Sequence, residues 1–300
     1  MPPIAATFSF DATGIDAGGR GMGAKHYEPF RQLAERGELH ARVFWTTIRQ
    51  PATPAEVDRV LAEVPAQKPY QGNDFFDHVG WGESVYSPAT TRLLSAEFDA
   101  GPGNFTQVRR IVEALAARGL YLNAHAELTS SINAYLDVYE AIDRETPLKA
   151  LRWSFSHLDQ VTEKQLERMK RLGMSAQIHS RPLIQGALMH KVHGDRAWDM
   201  PLFRRVQDSG IRWGLGSDAT AVTTSNPFYT LSFAVTGKMI GGRKVNRQSV
   251  TREEALIAHT RSNAAIVFQE NNLGSIQNGK YADMLVLDRD YMTVPADQIK

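Results

Sequence analysis

LYLNAHAELTSSINAYLDVYEAIDRETPLKALRWSFSH, residues 120–157, decides how the chain is read. It opens on a strand-like run, LYLNA at 120–124, continues through a helical stretch at 130–144, and returns to a strand-like run, LRWSFS at 151–156. A histidine follows each run: His125 and His157, 32 residues apart. That separation is about one βα repeat, for which ~30 residues is usual. Two short apolar runs joined by a helix, each ending in the same polar residue type, read as successive strands of a parallel sheet.

The same rhythm extends both ways. Upstream, strands are expected at 6–10 (ATFSF), 40–46 (HARVFWT) and 75–81, and helices at 28–37, 54–64 and 105–118. In the first helix Phe30, Leu33 and Ala34 share a face. Downstream, helix 162–172 precedes strand 174–178 (MSAQI), and helix 201–209 precedes strand 211–215 (IRWGL). Seven strands are one short of an eightfold α/β barrel. The helix expected at 251–268 has a clear start, because Thr251 is a capping residue and Glu253 and Glu254 suit the positive end of the helix dipole. Beyond it LGSIQNGKYAD leads into an apolar run at 284–287, read as a strand outside the barrel. The expected division is a barrel over 1–268 and part of a C-terminal β-sandwich over 269–300.

Parallel strands present their C-terminal ends to one rim, where such folds build active sites. Four polar residues end predicted strands: Glu83 after HVGWG, His125, His157, and Asp218 after IRWGLGS. Asp218 lies 61 residues past His157, about two repeats. Two imidazoles and a carboxylate are ordinary ligands of zinc or a similar divalent ion. An ion so held supplies an activated water at neutral pH, and Asp218 is placed to carry the proton. Each residue also has a plainer reading. A histidine after a strand is often a hydrogen-bonded structural residue, and Gly-Ser-Asp is common turn chemistry. His179, also at a strand end, is either part of a pocket or structural. His78 is expected to be structural, and His190, His193 and His259 to lie on the surface or in loops.

The 300 residues carry 34 basic and 33 acidic side chains, a net charge of +1. That balance gives no electrostatic reason to expect nucleic acid or an anionic membrane as partner. Without cysteine there are no disulfides or thiolates, so any metal is held by His, Asp or Glu. No apolar run is long enough to cross a bilayer and the start has no signal-peptide pattern, which fits a cytoplasmic protein. A homo-oligomer is compatible with all of this.

NAHA at 123–126, FSHLD at 155–159 and GLGSDA at 214–219 resemble the late-strand motifs of the amidohydrolase superfamily, in its amidohydrolase 3 (formamide deformylase-like) branch. GDRA at 194–197, in the loop after strand 174–178, and NPF at 226–228 are similar to that branch as well. The most specific likeness is the tail at 273–288, LGSIQNGKYADMLVLD, which resembles the return strand of the β-sandwich flanking the barrel. The resemblance covers nearly the whole chain. It implies a (β/α)8 metal-dependent hydrolase barrel, with His125 and His157 as the strand-five and strand-six ligands. It also implies Asp218 as the strand-eight aspartate that binds metal and shuttles the proton, and Glu83 at the bridging lysine or glutamate position. It implies zinc, and a small amide-like substrate.

One departure stands out. The family's first strand ends in a His-x-His pair, and the chain contains none. The chain therefore reads as an incomplete barrel that opens at the second strand. Two functions follow: a hydrolase of non-peptide carbon–nitrogen bonds such as amides or formamides, or a catalytically silent truncated barrel or half of a split enzyme. A lyase or isomerase on the same metal barrel is a third, because a fold hosts many chemistries.

Overall fold

A computed structural model describes residues 24–91, 98–99, 101–218 and 222–300. The strand expected at 6–10 lies outside the described residues. The described chain forms one six-stranded parallel sheet in strict sequence order. Its strands are β1 (Val43–Thr47), β2 (Phe76–Glu83), β3 (Tyr121–Ala126), β4 (Ser154–His157), β5 (Ser175–His179) and β6 (Trp213–Gly216). Each strand pairs only with its chain neighbours, so β1 and β6 are the edges among the described residues and the sheet is an arc of a barrel.

The helices run in the same order: α1 (Ala24–Glu35), α2 (Pro54–Glu63), α3 (Pro102–Ala117), α4 (Thr129–Asp143), α5 (Glu163–Arg171), α6 (Pro182–His193), α7 (Phe203–Asp208), α8 (Pro227–Thr236), α9 (Arg252–Ile257) and α10 (Asn263–Ile266). Local sequence sets several starts. Thr53, Thr162 and Thr251 each cap a helix reciprocally with the residue three on, Glu56, Gln165 and Glu254. The helix expected at 251–268 is α9 and α10 joined by a π turn at Ala258–Ser262.

Alternation along the strands separates two environments. Leu122, Ala124, Phe155, Ala176, Ile178 and Leu215 are buried in one apolar core with Ile111, Val112 and Leu115 of α3, Ile132, Leu136 and Tyr139 of α4, and Leu166 and Met169 of α5. Each Leu, Ile, Val, Phe or Met among them contributes about 1.5–3 kcal/mol on burial. The intervening residues form a polar network instead of the branched aliphatic filling usual in barrels. Tyr121 Oη and Ser154 Oγ share a 2.6 Å hydrogen bond, Gln177 Nε2 donates to Tyr121 Oη at 2.8 Å, and Asn123 Oδ1 accepts from Ser154 and Ser156. These bonds tie β3, β4 and β5 together beneath the rim where their histidines stand.

Three expectations are corrected. The stretch after β5 at 180–198, read as a loop, contains α6 and the start of a 3-10 turn at Gly194–Asp199. His193 and His259 are buried, not superficial. No strand forms at 284–287, where Val286 is fully exposed. A strand exists only through a hydrogen-bonded neighbour, and no described segment pairs with 284–287. The tail is held by side chains: Arg42 pairs with Asp283 at 2.7 Å and lies over the Tyr281 ring, and Tyr281 Oη donates to Asp74 at 2.7 Å. Among the described residues no helix is long and apolar enough to cross a membrane.

Candidate metal centre

The rim is assembled from consecutive strand ends. Glu83 is the last residue of β2, His125 the penultimate residue of β3, His157 the last of β4 and His179 the last of β5. Register aligns them: Glu83 pairs with Ala124 and His157 with Ala126, so the glutamate and both histidines fall within two residue steps at the strand ends. His157 has a left-handed backbone, φ 79°, as does Asp218, φ 53°. Such conformations cost about 1–3 kcal/mol at non-glycine residues and concentrate where function requires them.

Glycines bring Glu83 into place. Gly80 and Gly82 have φ of 154° and 144°, and a Cβ on Gly82 would sit 2.3 Å from the carbonyl oxygen of Asn123. Gly82→Ala is therefore expected to separate β2 from β3 beside the site, costing at least about 1–3 kcal/mol of stability. It is also expected to weaken metal binding. Denaturant unfolding with a Zn2+ titration checks this, and a variant matching the parent in both removes the constraint.

Glu83, His125 and His157 offer one ligand atom each, all within 4.8 Å of one another, the only such His, Asp and Glu cluster found among the described residues. Glu83 Oε1 lies 3.0 Å from His125 Nδ1 and also hydrogen-bonds His157 Nε2. The rings meet edge to face in series: His125 and His157 centroids are 4.3 Å apart, His157 and His179 4.5 Å. His179 stays outside the cluster. Its Nδ1 accepts from the Arg181 N–H at 2.9 Å, which leaves Nε2 protonated and facing Asp159 Oδ2 at 3.7 Å.

Asp218 stands on the same rim but not in the cluster. It is 22% exposed, and its Oδ2 lies 3.6 Å from Arg181 Nη2. Two charged residues without a spacing signal complete the site. Glu127, fully buried, faces His125 Nε2 at 3.4 Å and accepts from Arg181 Nη1 at 2.8 Å. The His-x-Glu pattern at the end of β3 is the one sequence cue to it.

The electrostatics are those of a closely coupled site. Burial resists charge on Glu83, but the His157 and His125 imidazoles outweigh it and hold its carboxyl well below the usual range. Burial likewise opposes protonation of His125, yet Glu127 and Glu83 raise it well above an ordinary imidazole. His157 is raised by Glu83 against burial and the charge of His125. Glu127 falls to about 2, because His125 and Arg181 overcome its burial.

The donor set fits a divalent ion. One carboxylate oxygen faces two ring nitrogens, an arrangement that needs either two shared protons or a cation among them. The far nitrogens of the same rings, His125 Nε2 and His157 Nδ1, are buried without hydrogen-bond partners. Glu127 behind His125 is the carboxylate–histidine arrangement that orients metal ligands.

The amidohydrolase family profile matches residues 3–300, virtually the entire chain. The chain belongs to the amidohydrolase family. Among curated relatives of this amidohydrolase, N-substituted formamide deformylase of Arthrobacter pascens is 30% identical over 179 residues, 57% of this chain and 32% of the relative. Imidazolonepropionase of Syntrophobacter fumaroxidans is 26% identical over 209 residues, 67% and 42% respectively. The chain thus spans about a third to two fifths of these relatives. In fold it is similar to an uncharacterized metal-dependent hydrolase from Pyrococcus horikoshii OT3, with TM-score 0.70 and 21% identity over 91% of this chain and 56% of that one.

Proposed function

We propose that this amidohydrolase chain carries a metal centre for hydrolysing non-peptide carbon–nitrogen bonds, such as those of amides or formamides. The observation that carries the reading is the convergence of Glu83, His125 and His157 on one point of the rim. Their two nitrogens and one oxygen suit zinc. A divalent ion in that place supplies an activated water at neutral pH and polarises a carbonyl oxygen. Glu127 fixes the His125 ring, and Asp218, reachable from solvent, carries the proton to the leaving nitrogen. The names of the relatives, a formamide deformylase and an imidazolonepropionase, support a carbon–nitrogen bond as the target.

A second reading, a catalytically silent barrel or half of a split enzyme, is favoured by the missing His-x-His pair. Elemental analysis of the purified protein, with an assay on N-substituted formamides, separates the two. About one equivalent of retained zinc with measurable turnover supports the hydrolase. A chain that retains no metal and takes up none is the silent form.

Metal affinity is expected to depend on pH in a defined direction. The ion must displace protons from His125 and His157, whose protonation is favoured beyond that of an ordinary imidazole. Zn2+ binding therefore weakens as pH falls, and the weakening begins above the ordinary imidazole pKa of about 6.5. Titrations at pH 6, 7 and 8 check this: affinity rises at each step, and a flat profile contradicts proton displacement from these histidines.

A further inference from the structure

Arg181 follows β5 by two residues, and its guanidinium is buried among carboxylates. Nη1 donates to Glu127 at 2.8 Å and Nη2 lies 3.6 Å from Asp218. Asp159 adds a third negative charge near it. Glu127 and Asp159 are fully buried, and neither Asp159 oxygen has a hydrogen-bond partner. Carboxylates so placed, beside a two-histidine centre, are what would recruit a further divalent ion, since buried charges are paired or coordinate metals. Here the chain supplies the cation itself. The guanidinium is also an unsuitable receptor for a substrate anion, because it is 8% exposed and surrounded by acids that repel one.

We propose that Arg181 is a built-in counter-cation that holds the centre to a single metal ion and anchors Glu127 behind His125. The inference rests on the reading that Glu83, His125 and His157 hold an ion, and adds how many ions the rim accepts and why. The acids a second ion would take are Glu127, Asp159 and Asp218. Arg181 engages two of them directly, and its fixed charge repels a divalent ion from all of them. Arginine suits the position because it keeps its charge when buried and offers a planar fork of donors to separate carboxylates. Arg181 acts through Glu127 and Asp218, so it is a positioning residue and not a catalytic one.

The test is Zn2+ titration of the metal-stripped full chain, with bound metal counted by elemental analysis. The wild type is expected to take up one ion and show no second binding event at about 100-fold excess. Arg181→Met, which removes the charge but keeps apolar bulk, is expected to bind two, and Arg181→Lys, which keeps the charge, one. Two ions in the wild type, or one in a folded Arg181→Met variant, overturns the counter-cation role and leaves the hydrolase reading intact. No ion in the wild type overturns both. Should Arg181→Met fail to fold, the wild type and Arg181→Lys still decide: one ion in each supports the role, two in either overturns it.

Discussion

His125→Ala is expected to lower Zn2+ affinity by more than about 100-fold and to abolish hydrolysis, while the protein still folds. Loss of an outer partner alone usually costs 10–100-fold in metal affinity, and this change removes a direct donor. The effect exceeds that of any other single imidazole, because His125 lies between both acids of the centre, Glu83 at 3.0 Å and Glu127 at 3.4 Å. Its removal also leaves Glu127 facing Arg181 alone. The fold is expected to survive, because β3 is held by its ladders to β2 and β4, by the Asn123 and Tyr121 network, and by Leu122 and Ala124 in the core. The control is His78→Ala. His78 bonds Thr47 and Gly80, well away from the triad, and its change is expected to leave zinc uptake as in the parent. Equal metal content in His125→Ala and the parent removes His125 from the centre.

Asp218→Asn is expected to reduce turnover by about 10²–10⁴-fold, the range associated with loss of a general acid or base. Bound zinc is expected to stay at the parental level. The two readouts part because Asp218 stands outside the Glu83, His125 and His157 cluster, beside Arg181. Asparagine keeps the size of the side chain and tolerates the left-handed backbone at this position, so the loss reports on the carboxylate and not on folding. Zinc content with kcat checks the prediction. A variant that loses its metal makes Asp218 a ligand, as the family resemblance implies. A variant with full turnover removes it from proton transfer.

The strands were legible because the βα repeat leaves its mark locally. The run at 174–178 forms β5 at Ser175–His179, and the run at 211–215 overlaps β6 at Trp213–Gly216. That His125 and His157 stand side by side was legible for the same reason, since 32 residues is about one repeat; Glu83 was placed only by its strand end and the family resemblance, and Asp218, expected to join the histidines, stands beside Arg181 instead. Other features have no local mark. In α6 the apolar residues Leu183, Ile184, Ala187, Leu188 and Met189 lie on several sides of the axis, so no stripe announces the helix. The run at 284–287 is apolar, but whether it becomes a strand depends on a neighbour that its own sequence cannot specify. His193 and His259 are buried by surrounding elements, a tertiary effect. Arg181 was missed because its role arises only when Glu127, Asp159 and Asp218, from three different strand ends, close around it.

The proposed centre requires a cation seated among Glu83, His125 and His157. Anomalous diffraction at the zinc edge, from crystals of the zinc-loaded chain, tests that most directly. The expected map shows a single peak within bonding distance of the carboxylate of Glu83 and the imidazoles of His125 and His157, with the Arg181 guanidinium between Glu127 and Asp218. A peak elsewhere on the chain, or fully loaded crystals with no density among those three residues, contradicts it.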